Sequence, residues 1–544
     1  MNESKELIGK ETKTRTQILK QNLKLKVKVN KNIISKKQKR NKYIALGLGT
    51  LSFIILCAML ISKLKNFKNK NKSKEENSPS STTKTLSKIE KIYKSLETYE
   101  GNYTSYECNK LDPINIFKKR LNSTPVTVCS NSKSNSNHIC YKDGNPIFVA
   151  QNGASCEFKN VIIDPSKWSG DGKTYKGPMD PSNRGCPLLS KGFFNVNCED
   201  GLMTNYSGYD FIYNNYFNGW DYNSESYENE KNTLEELAPG KTIFFISRNQ
   251  DSPNLYHGGS EFVNALSIMY LLNLDPEKIQ IVFLESILIN DDPFYDLYKN
   301  LIGRGGEPIH VRNLTKKYMV SNGVHIPIDW DSPCFITSHP PNCANNPTKT
   351  YYLYNKLIDL FMPPENFIDS FDKKNQEVYY YPESIINTGT NDKNSFNKIL
   401  TFQWRRVWPK GRSGQQRILG NGPELADKIS TLLPKNILLR LIDTASLPIR
   451  EQIAIMRQTD YFVGIHGAGL SLIIYAPKNC IYHEVLHSPN MNGLELFAAT
   501  SGHKVYKDII DSDVRDVDGN ENIFFNVNEF ANRVIEHLKE SNLI

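Results

Sequence analysis

Three regimes of hydrophobic and polar patterning divide this chain. Residues 43–62, YIALGLGTLSFIILCAMLIS, run for 20 positions without a charge, the length a helix needs to cross a hydrocarbon layer of ~30 Å. Residues 90 to about 235 are rich in Asn, Gly, Tyr and Cys with few clean periodicities, which predicts a disulfide-stapled, loop-rich subdomain. After Gly240 short apolar runs alternate with longer amphipathic stretches, the mark of strand-helix repeats around a parallel sheet. Strands are expected at 242–248, 279–284 and 308–313, with helices near 259–272 and 294–302. A polar stretch at 373–397, with DKKNQE and NTGTNDKNS, reads as a linker. A second series then has strands at 399–405, 436–443, 460–465 and 480–486 and helices at 422–433, 448–457, 469–476, 492–501 and 527–541. The expected fold class is α/β: two doubly wound, Rossmann-like domains, 90–375 and 376–544, facing a cleft at the carboxyl ends of their strands.

Charge changes the picture of the amino-terminal part. The chain has 544 residues and a formal charge of +9, but residues 1–42 carry +11 and residues 63–84 carry +5, leaving −7 for the rest. A mildly acidic globular part has no broad basic surface, so nucleic acid is not expected as a partner. The two basic blocks flank the apolar run instead. Because 42 residues precede it, the run reads as a transmembrane signal anchor and not as a cleaved leader. Nine basic residues lie within 20 positions before it and six after, which favours a cytosolic tail at 1–42. Residues 63–89, mostly Lys, Asn and Ser, then form a solvated stem. Nine of the 10 Cys follow the run, a density that suits disulfides in an oxidising lumen. Nine is odd, so one thiol stays free, and Cys480, on an expected core strand, is assigned that place. Sequons at Asn102, Asn122, Asn205 and Asn313 need the same lumenal face. The location expected is the Golgi or endoplasmic reticulum membrane, single-pass, with a lumenal body.

The sharpest local feature is Asp460-Tyr-Phe-Val-Gly464-Ile-His466-Gly467-Ala468-Gly469-Leu470, an apolar strand entering a Gly-rich turn. Such a turn either offers backbone N–H groups to a phosphate or sugar oxygen or permits tight strand-helix packing. His466, where the strand ends, could donate to a phosphate or a sugar hydroxyl. Just after the 399–405 strand come Arg405, Arg406, Lys410, Arg412 and Arg417. Guanidinium groups hold diphosphate oxygens in a bidentate manner, although a basic loop can also be merely solvated. Arg405 and Arg417 are the best placed. In the first half, Asn254-Leu-Tyr256-His257-Gly-Gly-Ser-Glu261 leads into a helix, and His257 with Glu261, four apart, could deprotonate and orient an acceptor hydroxyl or simply cap the helix. Glu484 ends a strand where it could accept from ribose hydroxyls. The Asp-x-Asp triplets 329/331, 511/513 and 516/518 are weak metal candidates. No zinc motif, Walker loop or Gly-x-Ser-x-Gly occurs.

The stretch QIAIMRQTDYFVGIHGAGLSLIIYAPKNCIYHEV at 452–485 resembles the signature region of glycosyltransferase family 61, supported by NLYHGGSEFVNAL at 254–266, ILTFQWRR at 399–406 and QRILGN at 416–421. The resemblance implies a GT-B-like fold, a nucleotide-sugar donor (usually a UDP sugar), inversion at the anomeric carbon, a glycan or glycoprotein acceptor, and no metal or other cofactor. It makes Arg405, Arg417, Gly464, His466, Gly467, Ala468, Gly469 and Glu484 donor-site residues, and gives His257 and Glu261 the acceptor side. N-acetylglucosamine and xylose are the donor sugars it implies. Two departures from the family pattern stand out: Gly258-Gly259 follow His257, where a bulky residue is usual, and WPKGRSGQ is inserted before Gln416. Two other readings remain open. One is a GT-A type enzyme using Asp329 and Asp331 to hold manganese; the other is a catalytically silent, membrane-anchored sugar-binding protein.

Overall fold

The computed structural model describes residues 87–99, 112–122, 125–133, 135–141, 155–169, 189–198, 218–222, 224–248, 254–285, 294–326, 347–363, 378–382, 396–407, 416–489 and 494–544. Residues 86–544 form one unit and residues 1–85 another; the expected anchor at 43–62 and the stem lie outside the described residues. Among the described residues no helix is long and apolar enough to cross a membrane.

The first half is built on a nine-stranded sheet. Its strands are β1 (Pro125–Asn131), β2 (Ser136–Tyr141), β3 (Ser155–Ile163), β4 (Phe194–Asn195), β5 (Trp220–Asp221), β6 (Thr242–Ile246), β7 (Ile279–Phe283), β8 (Ile309–His310) and β9 (Tyr318–Ile326). The order is β1-β2-β3-β9-β6-β7-β8, with β4 and β5 on a side branch from β3. β9, β6, β7 and β8 run parallel, whereas β1 to β3 are antiparallel and β3 pairs antiparallel with β9. The described residues of the Cys-rich segment carry the disulfides expected of it and also extend the same sheet through β1 to β5. Cysteine supplies part of the reason. Cys140 and Cys156 face each other across β2 and β3 and are bonded, and Cys129 of β1 is bonded to Cys198. Cys480 is free and buried, as expected. The Cys129–Cys198 bond closes a loop with a sequence separation of 69. Replacing both residues by alanine should lower the unfolding free energy by about 4 kcal/mol, measurable by urea denaturation.

The second half has β10 (Tyr379–Tyr380), β11 (Lys398–Gln403), β12 (Arg417–Leu419), β13 (Ile437–Ile442), β14 (Tyr461–Ile465), β15 (Ile481–Leu486), β16 (Lys504–Ile509), β17 (Ser512–Val517) and β18 (Asn520–Phe525). Six of them make a sheet of order β10-β13-β11-β14-β15-β16, parallel except for β10, while β12, β18 and β17 make a small separate sheet. β10 falls inside the stretch expected to be a linker. Alternation sorts the side chains of the large sheet. Leu400, Phe402, Tyr461, Val463, Ile465, Ile481 and Val485 point into a core beneath helices Gly422–Leu432 and Val527–Glu540. Phe462 and Tyr482 point the other way, into a core shared with the first half.

That shared core is centred on the helix Leu255–Leu271, capped by Asn254, whose side chain accepts from the Tyr256 N–H. Every residue from Gly258 to Met269 is buried, the pattern of a helix covered on all sides. It packs with Phe244 and Ile246 of β6, with Leu353 and Tyr354 of helix Lys349–Phe361, and with Leu470, Leu472 and Ile473 of a 3₁₀ segment, Ala468–Tyr475. The sequence predicts an α-helix at 469–476. The run AGLSLIIY instead takes the tighter helix, a form used in short pieces that turn a chain quickly.

Candidate active site

In the large second sheet, β13 lies on one side of β11, and β14, β15 and β16 lie on the other. The order therefore reverses between β11 and β14, and a crevice opens where the two following segments diverge. The Gly-rich turn leaves β14 at that point and Arg405 follows β11 at the same point. Gln403, Gly464, Glu484 and Lys507 form one register row across β11, β14, β15 and β16, so their Cα–Cβ directions share one face.

Small residues in the turn make room for the polar ones. A Cβ at Gly467 would fall on the Arg405 guanidinium, and one at Gly469 would fall on the Gln403 amide. At Gly464 it would lie 2.9 Å from Leu470 and 3.0 Å from Gln403. Arg405 uses the space at Gly467 to donate from Nη1 to the His466 carbonyl at 2.6 Å, which ties the end of β11 to the turn. The His466 backbone N–H donates to the Val485 carbonyl at 3.0 Å, continuing the ladder to β15. The His466 ring, 12% exposed, is hydrogen-bonded through Nδ1 to the carboxylate of Glu484, which is fully buried. Glu484 therefore lies beneath His466 and orients it.

Arg417 arrives from β12. The Leu419 N–H donates to the Arg405 carbonyl at 2.8 Å, so β12 is fastened to the end of β11 just where the crevice opens. His487, one residue beyond β15, completes the group. Burial lowers its pKa from 6.5; Glu521 opposes this, while Arg417, His466 and Arg405 lower it further. The structure thus brings Arg405, Arg417 and His466 within electrostatic reach of one residue. Sequence reasoning did not single out His487 or Gln403; the available signal was their place at strand ends in EVLHS and TFQWR.

The other expected residues fall in different places. Ala468 opens the 3₁₀ segment. His257 and Glu261 lie on the first two turns of the 255–271 helix, with Glu261 1% exposed. That helix reaches the second half where the Tyr256 ring meets Phe497, centroids 5.3 Å apart. Phe497 belongs to helix Glu495–Thr500, whose Glu495 accepts from Lys507 of β16 at 2.8 Å. Gly259 has a packing role: a Cβ there would lie 3.5 Å from Phe294 and 3.8 Å from Phe497. Arg406 is exposed, its guanidinium 4.8 Å over the Trp404 ring. Lys410, Arg412, Asp329 and Asp331 lie outside the described residues. On β17, Asp513 pairs with Arg515 at 2.7 Å, and Asp516 accepts from the Gly519 N–H at 3.0 Å.

Two buried polar clusters were not foreseen. Arg248, two residues past β6, is ion-paired with Glu285, two residues past β7, through Nε at 2.9 Å and through Nη2. His310 of β8 stands 3.9 Å from the same carboxylate oxygen. On the opposite face of β15 from Glu484, His483 and His537 both reach Oδ2 of Asp508, at 3.0 and 2.7 Å. These three offer ligand atoms close enough to be a metal candidate. The separations, however, are those of hydrogen bonds, shorter than the spacing of tetrahedral zinc ligands with bonds of ~2.0–2.1 Å. Burial would raise the Asp508 pKa, but the two histidine hydrogen bonds win and hold the carboxyl below its ordinary range.

Residues 332–482 match the family model of Glycosyltransferase 61. The matched stretch includes Arg405, Arg417 and the whole Gly-rich turn; His257, Glu261 and Glu484 lie outside it. No curated protein matches the chain.

Proposed function

Residues 332–482 being a glycosyltransferase 61 domain, which supports glycosyltransferase activity, we propose that the protein is an inverting transferase. It moves a sugar, N-acetylglucosamine or xylose, from a UDP sugar to a protein-linked glycan or a protein hydroxyl in the secretory pathway. The observation that supports this reading is the reversal of strand order between β11 and β14, where Arg405 donates to the His466 carbonyl of the Gly-rich turn within the matched stretch.

The chemistry is a direct displacement. The acceptor oxygen attacks the anomeric carbon from the face opposite the diphosphate as the bond from that carbon to the diphosphate oxygen breaks. The electron pair leaves with UDP. The hydroxyl proton passes to Glu261 or His257, the acceptor-side pair. Charge developing on the diphosphate is met by the Arg405 and Arg417 guanidiniums and by His466, held by Glu484, with the turn's N–H groups adding partial positive charge. Side-chain cations of this number can offset a diphosphate without a bound cation, so no metal is required in this mechanism. The silent-protein alternative rested on Gly258-Gly259, and the packing of Gly259 against Phe294 and Phe497 gives that glycine a structural reason of its own.

The secretory setting is supported by the disulfides, by the charge-free run at 43–62 and by the Asn313-Leu-Thr315 sequon, whose Asn and Thr are both exposed. Membrane attachment through 43–62 belongs to the same proposal. The test uses the full-length protein in detergent, with UDP-N-acetylglucosamine and UDP-xylose as donors and EDTA present. Thermal stabilisation by one donor, with UDP release on adding glycoprotein acceptor, is the expected result. Activity that appears only with manganese would move the assignment to the Asp329/Asp331 alternative; no stabilisation by any UDP compound would end the UDP-sugar reading.

A further inference from the structure

Resting on the transferase reading, the geometry points to Gln403 as a positioning residue for the Gly-rich turn, a crossbar that sets the donor-binding backbone from beneath. Gln403 is the last residue of β11 and pairs in register with Ile442 of β13 on one side and Gly464 of β14 on the other. It is 7% exposed, and a buried carboxamide costs stability unless it is hydrogen-bonded. Its Nε2 donates to Oγ1 of Thr444 at 3.4 Å. Thr444 begins the short 3₁₀ turn after β13. That turn is itself held by Asp443, which accepts from the Ala445 N–H at 3.2 Å and from the Ser446 hydroxyl at 2.7 Å. On this side of β11 the amide is pinned to a firm support.

On the other side it lies against the turn. A Cβ on Gly469 would fall on the Gln403 amide nitrogen and stand 2.6 Å from its Cδ, and one on Gly464 would stand 3.2 Å from its Oε1. Gln403 and Arg405, two apart at the end of one strand, thus fill the places that side chains at Gly469 and Gly467 would take. Their tasks differ. Arg405 is partly exposed and brings charge to the crevice, whereas Gln403 is neutral and covered, so it acts on a diphosphate only through the backbone it supports. Turn N–H groups stabilise developing charge when they are held in place before the reaction. A displacement of about 1 Å can cost about 10²-fold in rate.

The test uses the full-length protein in detergent, with calorimetry and initial rates for UDP-N-acetylglucosamine or UDP-xylose, whichever binds the wild type. Gln403→Leu keeps most of the volume and deletes the amide. Thr444→Val keeps the support and deletes the oxygen that receives it. Thr444→Val should weaken donor binding by about two- to tenfold, the worth of one neutral hydrogen bond, and Gln403→Leu should reduce kcat/KM by up to about 10²-fold. Melting temperatures should stay close to wild type. Combined, the two changes should cost little more than Gln403→Leu alone, because they remove the same contact.

A swap of size supplies a second readout. Gly469→Ala drives a methyl into the amide and should impair donor binding, and adding Gln403→Ala makes room, so the double variant should bind the donor better than Gly469→Ala does. Either of two results would overturn the inference. One is wild-type donor affinity and turnover in both Gln403→Leu and Thr444→Val, whatever their melting temperatures, which would leave Gln403 a part of the core only. The other is a Gly469→Ala defect that Gln403→Ala does not relieve. Failure of the wild type to bind any UDP sugar would instead strike the transferase reading itself, so the two failures are distinguishable.

Discussion

Alanine at position 467 is expected to reduce turnover by about 10²- to 10³-fold, the loss seen when one preorganised donor to a developing anion is removed, while leaving the fold standing. The added Cβ would occupy the seat of the Arg405 guanidinium, the flexible far end of a partly exposed side chain. The arginine can swing away without disturbing a strand or helix, but it then loses its bond to the His466 carbonyl. Circular dichroism should show a melting temperature close to wild type, and kcat/KM with a UDP sugar should carry the loss. Arg405→Ala should match it, and the double variant should be little worse, because both changes remove one interaction. Full activity in Gly467→Ala would show that the seat of Arg405 beside the turn is not the one used in transfer.

The largest effect on stability should come from the other half. Glu285→Ala removes the fully buried carboxylate that ion-pairs with Arg248, whose side chain is 4% exposed. Breaking such a pair from one side costs about 3–5 kcal/mol, whereas replacing both members with apolar residues of similar size is often neutral. Urea denaturation should show a large drop for Glu285→Ala and recovery in Arg248→Met/Glu285→Leu. The second outcome separates a structural role from a catalytic one: if the double variant is stable but inactive, Arg248 or Glu285 is engaged in transfer.

Legibility in the sequence followed how local the determinants are. β11, β13, β14 and β15 coincide with continuous apolar runs such as TDYFVGI and CIYHEVL, each bounded by polar or glycine residues, so they could be read directly. β9, YMVSNGVHI, could not, because Asn322 and Gly323 interrupt it; the Phe158 ring lies where a Cβ on Gly323 would go, a reason that only the neighbouring strand supplies. β1 to β3 are polar and Asn-rich, and their pairing is reinforced by cystines whose connectivity no spacing reveals. β16 mixes exposed Lys504 and Lys507 with half-buried Val505 and Tyr506, and β17 is exposed from Asp513 to Val517, so neither shows a continuous apolar run. Helix 349–361 had a readable signal that passed unused: Thr348 as its cap and Leu353, Tyr354, Leu357 and Ile358 on one buried stripe. In the candidate site, the Gly-rich turn and Arg405 were legible because strand ends mark the crevice.

The helix at 255–271 also limits what can be done with this molecule in the laboratory. Its buried surface is shared between Phe244 and Ile246 on one side and Leu470, Leu472 and Ile473 on the other, so cutting the chain near residue 375 would bare a sticky apolar wall on both fragments. A separately expressed second half should come out as inclusion bodies, and a heated intact protein should lose both halves in one transition. Screening for inhibitors will need both halves in one chain.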